Sequence, residues 1–530
     1  MDKTRRKLML GTAAIAASGL FGLSVTQKNT NNKAAVMANA RLGMNLAGIA
    51  DWGSEMPFLD LFKQSRAWFA EGETPKNFIL QVDAEGWVTQ LPSGLVATAI
   101  ISTLEGNHFP KGDYVILYEG KGKIRIPNHF VKSSKAGRIV VQVNGQKGIF
   151  QLDVVNTDPQ NYIKNIRVVA KAHENTYVQD RWNPNFLTRW SGVACLRFMD
   201  YMQTNHSPKT TWYSRAKPTD ASFAANGVPV EWMLDLANRL NCDAWFCMPH
   251  QAEDDYVKGF AQYVSQHLKP KLRVWVEYSN EVWNGAFEQN SYATKAGMDL
   301  TLTDKDWAAS KYYAYRSVQI FNLWAAVFGD TKRIIRVLAA QTGYTDVAEQ
   351  VLSFSLPNNK TAADYADVLA IANYLHISVS PEKEDGLNDE IVEAWSLNQL
   401  FDYLNKKVLP QSKVLLEEHK NIADGYGLKL AAYEAGQHLV GVGEATNNEK
   451  LTQLFMRANV DVQMGKVYEK SLDIWQQVGG DLICNYQSMS GWSKWGSWGL
   501  LEHGNEPTPK YKVTIDWAKS RGQQMVYMKQ

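Results

Sequence analysis

Seven short apolar runs follow residue 171 of this 530-residue chain, each separated from the next by a helix-patterned stretch. They are GVACLRFM (192–199), DAWFCMP (243–249), LRVWVEYSN (272–280), RIIRVLAA (333–340), DVLAIANYL (367–375), LKLAAYEAG (428–436) and DLICNYQ (481–487). Near-continuous apolar runs suit strands covered on both faces, and strand–helix alternation implies βαβ units with a parallel sheet. The intervening helices are legible in VPVEWMLDLANRL and DWAASKYYAYRSVQIFNLWAAVFG. A closed barrel of this kind needs eight strands. The eighth candidate lies far upstream, in LGMNLAG (42–48).

Between that run and residue 171 the texture differs. FILQVDAEGWV, ATAIIST, GDYVILYEG, RIVVQVNG and GIFQLDVVN alternate in the period-two manner and are broken by Gly, Asn and Asp. This is the signature of a small all-β unit. The expected architecture is therefore a (β/α)₈ barrel formed by residues 41–72 and 171–525, with a sandwich-like domain, 73–170, inserted after the first barrel strand. An insertion there falls in a βα loop on the face where this fold builds its sites. An open doubly wound sheet is the structural alternative, but no Gly-rich phosphate loop follows any of the strands.

Charge and composition narrow the function. Fifty-six basic and 54 acidic residues give a formal net charge of +2. They are spread along the chain, so no nucleic-acid partner is expected. Eighteen Trp, 23 Tyr and 19 Phe suit the packing of a sugar's C–H face on aromatic rings, and equally a large Trp-rich core. Ten scattered histidines show no ligand cluster, so neither a metal nor another cofactor is expected. The four cysteines (195, 242, 247 and 484) sit in or beside apolar runs without CxxC spacing, which implies buried thiols. A disulfide from Cys195 to Cys242 or Cys247 is the alternative.

The chemistry concentrates at two strand ends. VWVEYSNEVWNGAF delivers Asn280 and Glu281 as one apolar strand runs out, and AAYEAGQH delivers Glu434 three βα units later. Carboxylates at strand ends on one barrel rim can face each other across its mouth. Glycoside hydrolysis needs such a pair, one to protonate the leaving oxygen and one to support the anomeric carbon. Glu281 would need an apolar or anionic setting to stay protonated, with Trp283 and Tyr278 as aromatic walls. Glu434 would need a nearby cation, and Arg197 in CLRFMD is the candidate.

The strand-four Asn-Glu and strand-seven Glu resemble the signature of clan A glycoside hydrolases, retaining enzymes on (β/α)₈ barrels. The resemblance covers the chain outside the leader and the insert. It implies Glu281 as acid/base, Glu434 as nucleophile, Asn280 on the 2-hydroxyl of the cleaved sugar and Arg197 beside the nucleophile. A retaining pair would stand about 5–5.5 Å apart. His250, in CMPHQA, matches a subsite histidine of the clan. Tyr374 and His376, in ANYLHIS, reverse the clan's usual His-x-Tyr order, which leaves open which of them meets Glu434. In SGWSKWGSWGLLE, Trp492 and Trp495 are the preferred candidates over Trp498 for the tryptophan under the reacting sugar. Asn45, Asp51, Trp52 and Arg66 near the first strand offer either a subsite or scaffolding.

The expected substrate is a β-linked polysaccharide or oligosaccharide, cut within the chain rather than at its end. A non-catalytic glycan-binding protein on the same barrel is the rival reading. Residues 1–40 read as a leader and linker. Arg5 and Arg6 precede a small-residue apolar run, which resembles a twin-arginine signal and implies export to the periplasm or beyond. That run is too short and too rich in Gly, Ala and Ser for a membrane span.

Overall fold

The computed structural model describes residues 39–72, 78–145, 148–302, 305–382, 386–504 and 507–527. The leader expected at the N-terminus lies outside the described residues apart from its last two positions. Strand β1 (Arg41–Asn45) is followed by eight strands of the insert: β2 (Phe69–Glu71), β3 (Val96–Ser102), β4 (Gly112–Glu119), β5 (Gly122–Arg125), β6 (Phe130–Lys135), β7 (Arg138–Val143), β8 (Phe150–Thr157) and β9 (Lys164–Ala170). The chain then supplies β10 (Cys195–Arg197), β11 (Asp243–Met248), β12 (Val274–Tyr278), β13 (Ile334–Ala339), β14 (Val368–Val379), β15 (Lys429–Gly441) and β16 (Leu482–Asn485).

Strands β1 and β10 to β16 close into one parallel barrel, with β1 pairing β16 on one side and β10 on the other. The expected (β/α)₈ barrel with an insert after its first strand is what the chain forms. Seven βα crossovers bury both faces of these strands, which is why their sequences read as unbroken apolar runs. The two helices legible in the sequence span Val230–Leu240 and Ala308–Phe328. Arg41 pairs with Asp481 at 3.2 Å, and Arg273 with Asp243 at 3.2 Å, tying strand starts together at the N-terminal end of the barrel.

The insert is two antiparallel sheets, ordered β2-β3-β8-β5 and β6-β7-β4-β9. Alternate residues of both sheets, among them Ala97, Ala99 and Leu152 from one and Ile116, Val141 and Val168 from the other, share a single core. The first strand of the insert, Phe69–Glu71, lies ahead of the expected boundary at 73, because three residues are shorter than any run the alternation could reveal. Asp60 links insert to barrel by accepting the Val168 amide at 2.9 Å.

Two strands outrun their sequence signal. The apolar runs suggest ends near 375 and 436, but β14 and β15 stay paired from Val368↔Lys429 to Val379↔Gly441. They continue as a two-stranded parallel ribbon past the barrel, where His376, Ser378, Gln437 and His438 interrupt the apolar runs. Conversely, β10 is only three residues long within the expected 192–199. All four cysteines are buried and free. Cys195 and Cys484 flank Gly43 in one row across three strands, since Gly43 pairs with Cys484 and its neighbour Met44 with Leu196. Gly43 has no side chain to part them, and the two thiols meet in a hydrogen bond across it. Among the described residues, no helix is long and apolar enough to cross a membrane.

Candidate active site

Arg197 is the centre of the barrel mouth. It ends β10, is fully buried, and has all five of its N–H donors engaged. Nε and Nη2 both reach Glu277 Oε2, at 3.2 and 2.9 Å. Nη1 reaches Glu434 Oε1 at 2.9 Å and Asn45 Oδ1 at 3.1 Å. Nη2 also reaches Asn280 Oδ1 at 2.8 Å. Four strands, β1, β10, β12 and β15, thus converge on one guanidinium, bringing together Arg197, Asn280, Glu434 and Asn45 of the sequence candidates.

Glu277 was not among those candidates. It lies within the apolar strand VWVEY and also accepts Trp245 Nε1 at 2.8 Å. A charged residue inside a strand covered on both faces must find a partner. That rule was the available signal.

A backbone irregularity shapes the β15 side. The β14–β15 register slips so that Ile371 faces Ala432 while Ala372 faces Glu434, leaving Tyr433 as the extra residue of a bulge. In a regular strand, neighbouring side chains point to opposite faces. Here both reach the mouth: the Tyr433 ring lies 5.1 Å from the Arg197 guanidinium, and the Glu434 carboxyl is bonded to that guanidinium. Bulges re-aim side chains in this way. Gly436 follows at φ +132°, where a Cβ would stand 3.0 Å from the Tyr468 hydroxyl and 3.2 Å from the Tyr486 carbonyl.

The two strand-end glutamates sit in different settings. Glu434 is buried, accepting Arg197 on one oxygen and the Tyr374 hydroxyl on the other at 2.8 Å. Burial pushes its pKa above the ordinary carboxylate range, against the pull of Arg197 and Tyr374. Among the described residues, Glu281 accepts side-chain hydrogen bonds from neutral donors alone, Tyr433 Oη at 3.1 Å and Asn284 Nδ2 at 3.0 Å. Burial, then the charge of Glu434, push its pKa up to about 7, against Asn284, Tyr433 and Arg197. Ser279 and Glu281 both have positive φ, 58° and 42°. Such backbone costs on the order of 1–3 kcal/mol per residue and gathers where function over-determines geometry.

Asn280 is fixed from both ends of its amide. Besides its bond to Arg197, its Nδ2 donates to Asn205 Oδ1 at 3.1 Å. Gln289 then donates to Asn205 Oδ1 and to the Asn280 carbonyl, at 2.7 and 2.8 Å. Nothing in the local sequence flags Asn205 or Gln289, because their contacts bridge distant loops.

The remaining candidates separate. Of the strand-six pair, Tyr374 meets Glu434, whereas His376 is exposed on the ribbon and stacks on His438 at 4.8 Å. His438 lies 5.8 Å from Trp498, and Trp498 lies 6.2 Å from Tyr486, whose bond to Gln487 is cis. Trp498 therefore joins this aromatic wall. Trp492 is buried beneath the Lys510 ammonium at 4.7 Å, and Trp495 lies under Lys494 at 5.0 Å. The sequence favours Trp492 and Trp495, but the contacts that put Trp498 in the wall come from distant segments. Trp283 is half-buried beside Glu281 in the chain. His250 is buried, its carbonyl accepting the Tyr278 hydroxyl at 2.9 Å and its ring edge-on to Tyr292 at 5.3 Å. Burial lowers its pKa to about 4, so it is neutral. Asp51 and Arg66 form a bidentate pair at 2.7 and 3.1 Å, with Arg66 5.9 Å from the half-exposed Trp52 ring.

This is a parallel barrel whose mouth holds several carboxyls around one saturated arginine, beside an aromatic wall. No family model matches the chain, and no curated protein matches it. Among solved structures it is similar to the GH51 arabinofuranosidase from Xanthomonas axonopodis pv. citri, with 13% identity over 64% of this chain and 66% of that one, at a TM-score of 0.40. It is also similar to a 4-O-α-L-rhamnosyl-β-D-glucuronidase from Fusarium oxysporum 12S, with 10% identity over 61% and 60% of the two chains and a TM-score of 0.37. A GH10 protein from Paenibacillus barcinonensis gives 12% identity over 62% and 88%, at 0.34. The chain spans less than two thirds of the length of the first two of these proteins.

Proposed function

We propose that this chain is a retaining glycoside hydrolase acting on a β-linked polysaccharide or oligosaccharide, with Glu281 as acid/base and Glu434 as nucleophile. The observation that carries the reading is the split between two strand-end carboxyls. Glu281 is held by neutral donors with a pKa near 7, while Glu434 is bonded to Arg197 and Tyr374. Environments that separate two carboxyls in this way assign the acid and the nucleophile. The resemblance of Asn280, Glu281 and Glu434 to the clan A signature supports the same roles.

In the first step protonated Glu281 gives its proton to the leaving oxygen as Glu434 attacks the anomeric carbon. Bonding to the sugar removes the negative charge of Glu434, and with it part of what holds the Glu281 pKa up. Glu281, having given up its proton, then stays ionised and can take one from the incoming water. Asn280, with its oxygen on Arg197 and one amide hydrogen on Asn205, keeps its other amide hydrogen for the 2-hydroxyl. Trp283, His250, His376, Trp492 and Trp495, with Trp498 of the aromatic wall, complete the proposed substrate-binding set. At 12 and 13 residues against 6 in β13 and 4 in β16, the β14–β15 ribbon gives the mouth one tall wall, and cutting within a chain remains the proposed mode. Export through the twin-arginine-like N-terminus and a bracing role for the insert belong to the same proposal.

The test is reducing-end release from a panel of β-linked polysaccharides by wild type, Glu281→Ala and Glu434→Ala. Turnover of one glycan by wild type, lost in both folded variants, is expected. Equal turnover by Glu434→Ala removes the nucleophile assignment, and binding of a glycan without turnover favours a glycan-binding protein.

A further inference from the structure

Resting on the glycosidase reading, we infer that Asp200 is a further substrate-binding residue. It accepts hydroxyl hydrogen bonds from the sugar seated against Glu434 and restricts that position to neutral or basic sugars, excluding uronates. Asp200 stands three residues beyond Arg197, past the C-terminal end of β10, and keeps part of its surface open. Its carboxyl is hydrogen-bonded to Tyr486. The Tyr486 ring lies 6.4 Å from Tyr374, which donates to Glu434, and 6.2 Å from Trp498. Asp200 is thus placed beside the aromatic wall on the nucleophile side of the mouth. Behind it is the loop after β1, where a Cβ on Gly48 would stand 3.6 Å from the Asp200 Cβ.

The charge balance sets the specificity. Among the described residues, Arg197 is the cation paired with Glu277 and Glu434, and neither Glu281 nor Asp200 stands in an ion pair. Its five donors are all spent within the protein, so none remains for a substrate carboxylate. A uronate at this position would meet the charges of Glu434 and Asp200, while the cation beside them, Arg197, has no donor left to bind it, and like charges without a partner are a strong means of rejecting a ligand. A neutral sugar presents hydroxyl donors that a carboxyl accepts. Burial and the charge of Glu434 push Asp200 up to about 7, against Arg197 and Tyr486. The carboxylate acceptor is therefore strongest above neutrality.

The experiment uses the full chain carrying Glu281→Gln, titrated calorimetrically at pH 8 with cello-, manno-, xylo- and galacto-tetraose and with tetramers of β-linked mannuronate and glucuronate. The titrations are repeated with Asp200→Asn and Asp200→Ala added, and wild type is assayed for hydrolysis of the same tetramers. The expected result is binding of at least one neutral tetramer and of neither uronate. Asp200→Ala should weaken the neutral tetramer tenfold or more, and Asp200→Asn, which keeps one acceptor oxygen and removes the charge, should narrow the gap to the uronates. Unchanged affinity in both Asp200 variants, uronate binding equal to neutral binding, or no binding by any tetramer overturns the inference. Hydrolysis with unchanged affinity in the variants spares the glycosidase reading alone. Asp200-dependent binding without hydrolysis spares Asp200 alone.

Discussion

Tyr433 carries two tasks with two parts of one side chain. Its ring lies beside the Arg197 guanidinium, and its hydroxyl donates to Glu281. Only the second task is lost in Tyr433→Phe. A hydrogen bond to a carboxylate favours the ionised form, and this one lowers the Glu281 pKa from where burial and Glu434 would put it. Removing it should raise that pKa by roughly half a unit to one unit, the scale of one such bond. An acid that must be protonated gives an alkaline limb in the pH dependence of kcat/KM. The limb is expected near 7 in wild type and at higher pH in Tyr433→Phe, read from initial rates between pH 5 and 9. A limb that stays in place or moves down would show that the hydroxyl does not act on Glu281. Arg197 is the complementary case. Fully buried between Glu277 and Glu434, it is there to hold two strands' carboxyls in one geometry, because buried pairs of this kind add little net stability over apolar packing.

At the scale of elements, the barrel was legible and its irregularities were not. Eight apolar runs revealed eight strands because burial on both faces writes itself into composition. The strand-end position of Asn280, Glu281 and Glu434 was readable for the same reason: each is where an apolar run stops. The β15 bulge leaves no such trace, since AAYEAGQH has the same letters whether Tyr433 points in or out. With it were lost the inward Tyr433, the length of the ribbon, and the place of Trp498 in the aromatic wall, all of which depend on contacts between distant segments. Gly436 is the one local clue to that geometry. Its φ of +132° is costly for a residue with a Cβ, and that Cβ would press on Tyr468 and on the Tyr486 backbone. Gly436→Ala should therefore destabilise the protein by about 1–3 kcal/mol and lower kcat beyond what the loss of folded protein explains, because the strain falls two residues from Glu434. Gly443→Ala is the matched control, with φ +58° and open space around its Cβ. It should cost some stability and leave kcat of the folded fraction alone. Thermal melts and active-site-normalised rates on both variants decide it, and equal kcat losses in the two would detach Gly436 from the site.

At the scale of the whole molecule, a buried acid bridges the seam of the barrel. Glu55 lies in the segment leaving β1 and is buried, accepting Trp190 Nε1 at 2.6 Å and Ser488 Oγ at 2.7 Å. It thereby joins the helix Pro184–Trp190 and the segment after β16 across the seam where the first and last strands meet. Burial pushes its pKa up to about 7, outweighing Arg189, Ser488 and Trp190. In the unfolded chain the same group titrates near its ordinary value of about 4.3. A carboxyl whose folded pKa is raised contributes stability that is fully present below the unfolded pKa and is lost as pH rises through the folded one. The window for Glu55 is therefore about 4.3 to 7. Glu281 and Asp200, also raised to about 7, act with the same sign. Comparing wild type with Glu55→Gln cancels those two. Denaturant unfolding at pH 5 and pH 8 should show wild type losing its advantage over Glu55→Gln as pH rises, because the variant has no proton to release at this seam. A stability difference between the two proteins that is constant across that interval would mean Glu55 is already ionised in the folded state. The seam would then be held by Arg189 as an ion pair and not by the neutral acid.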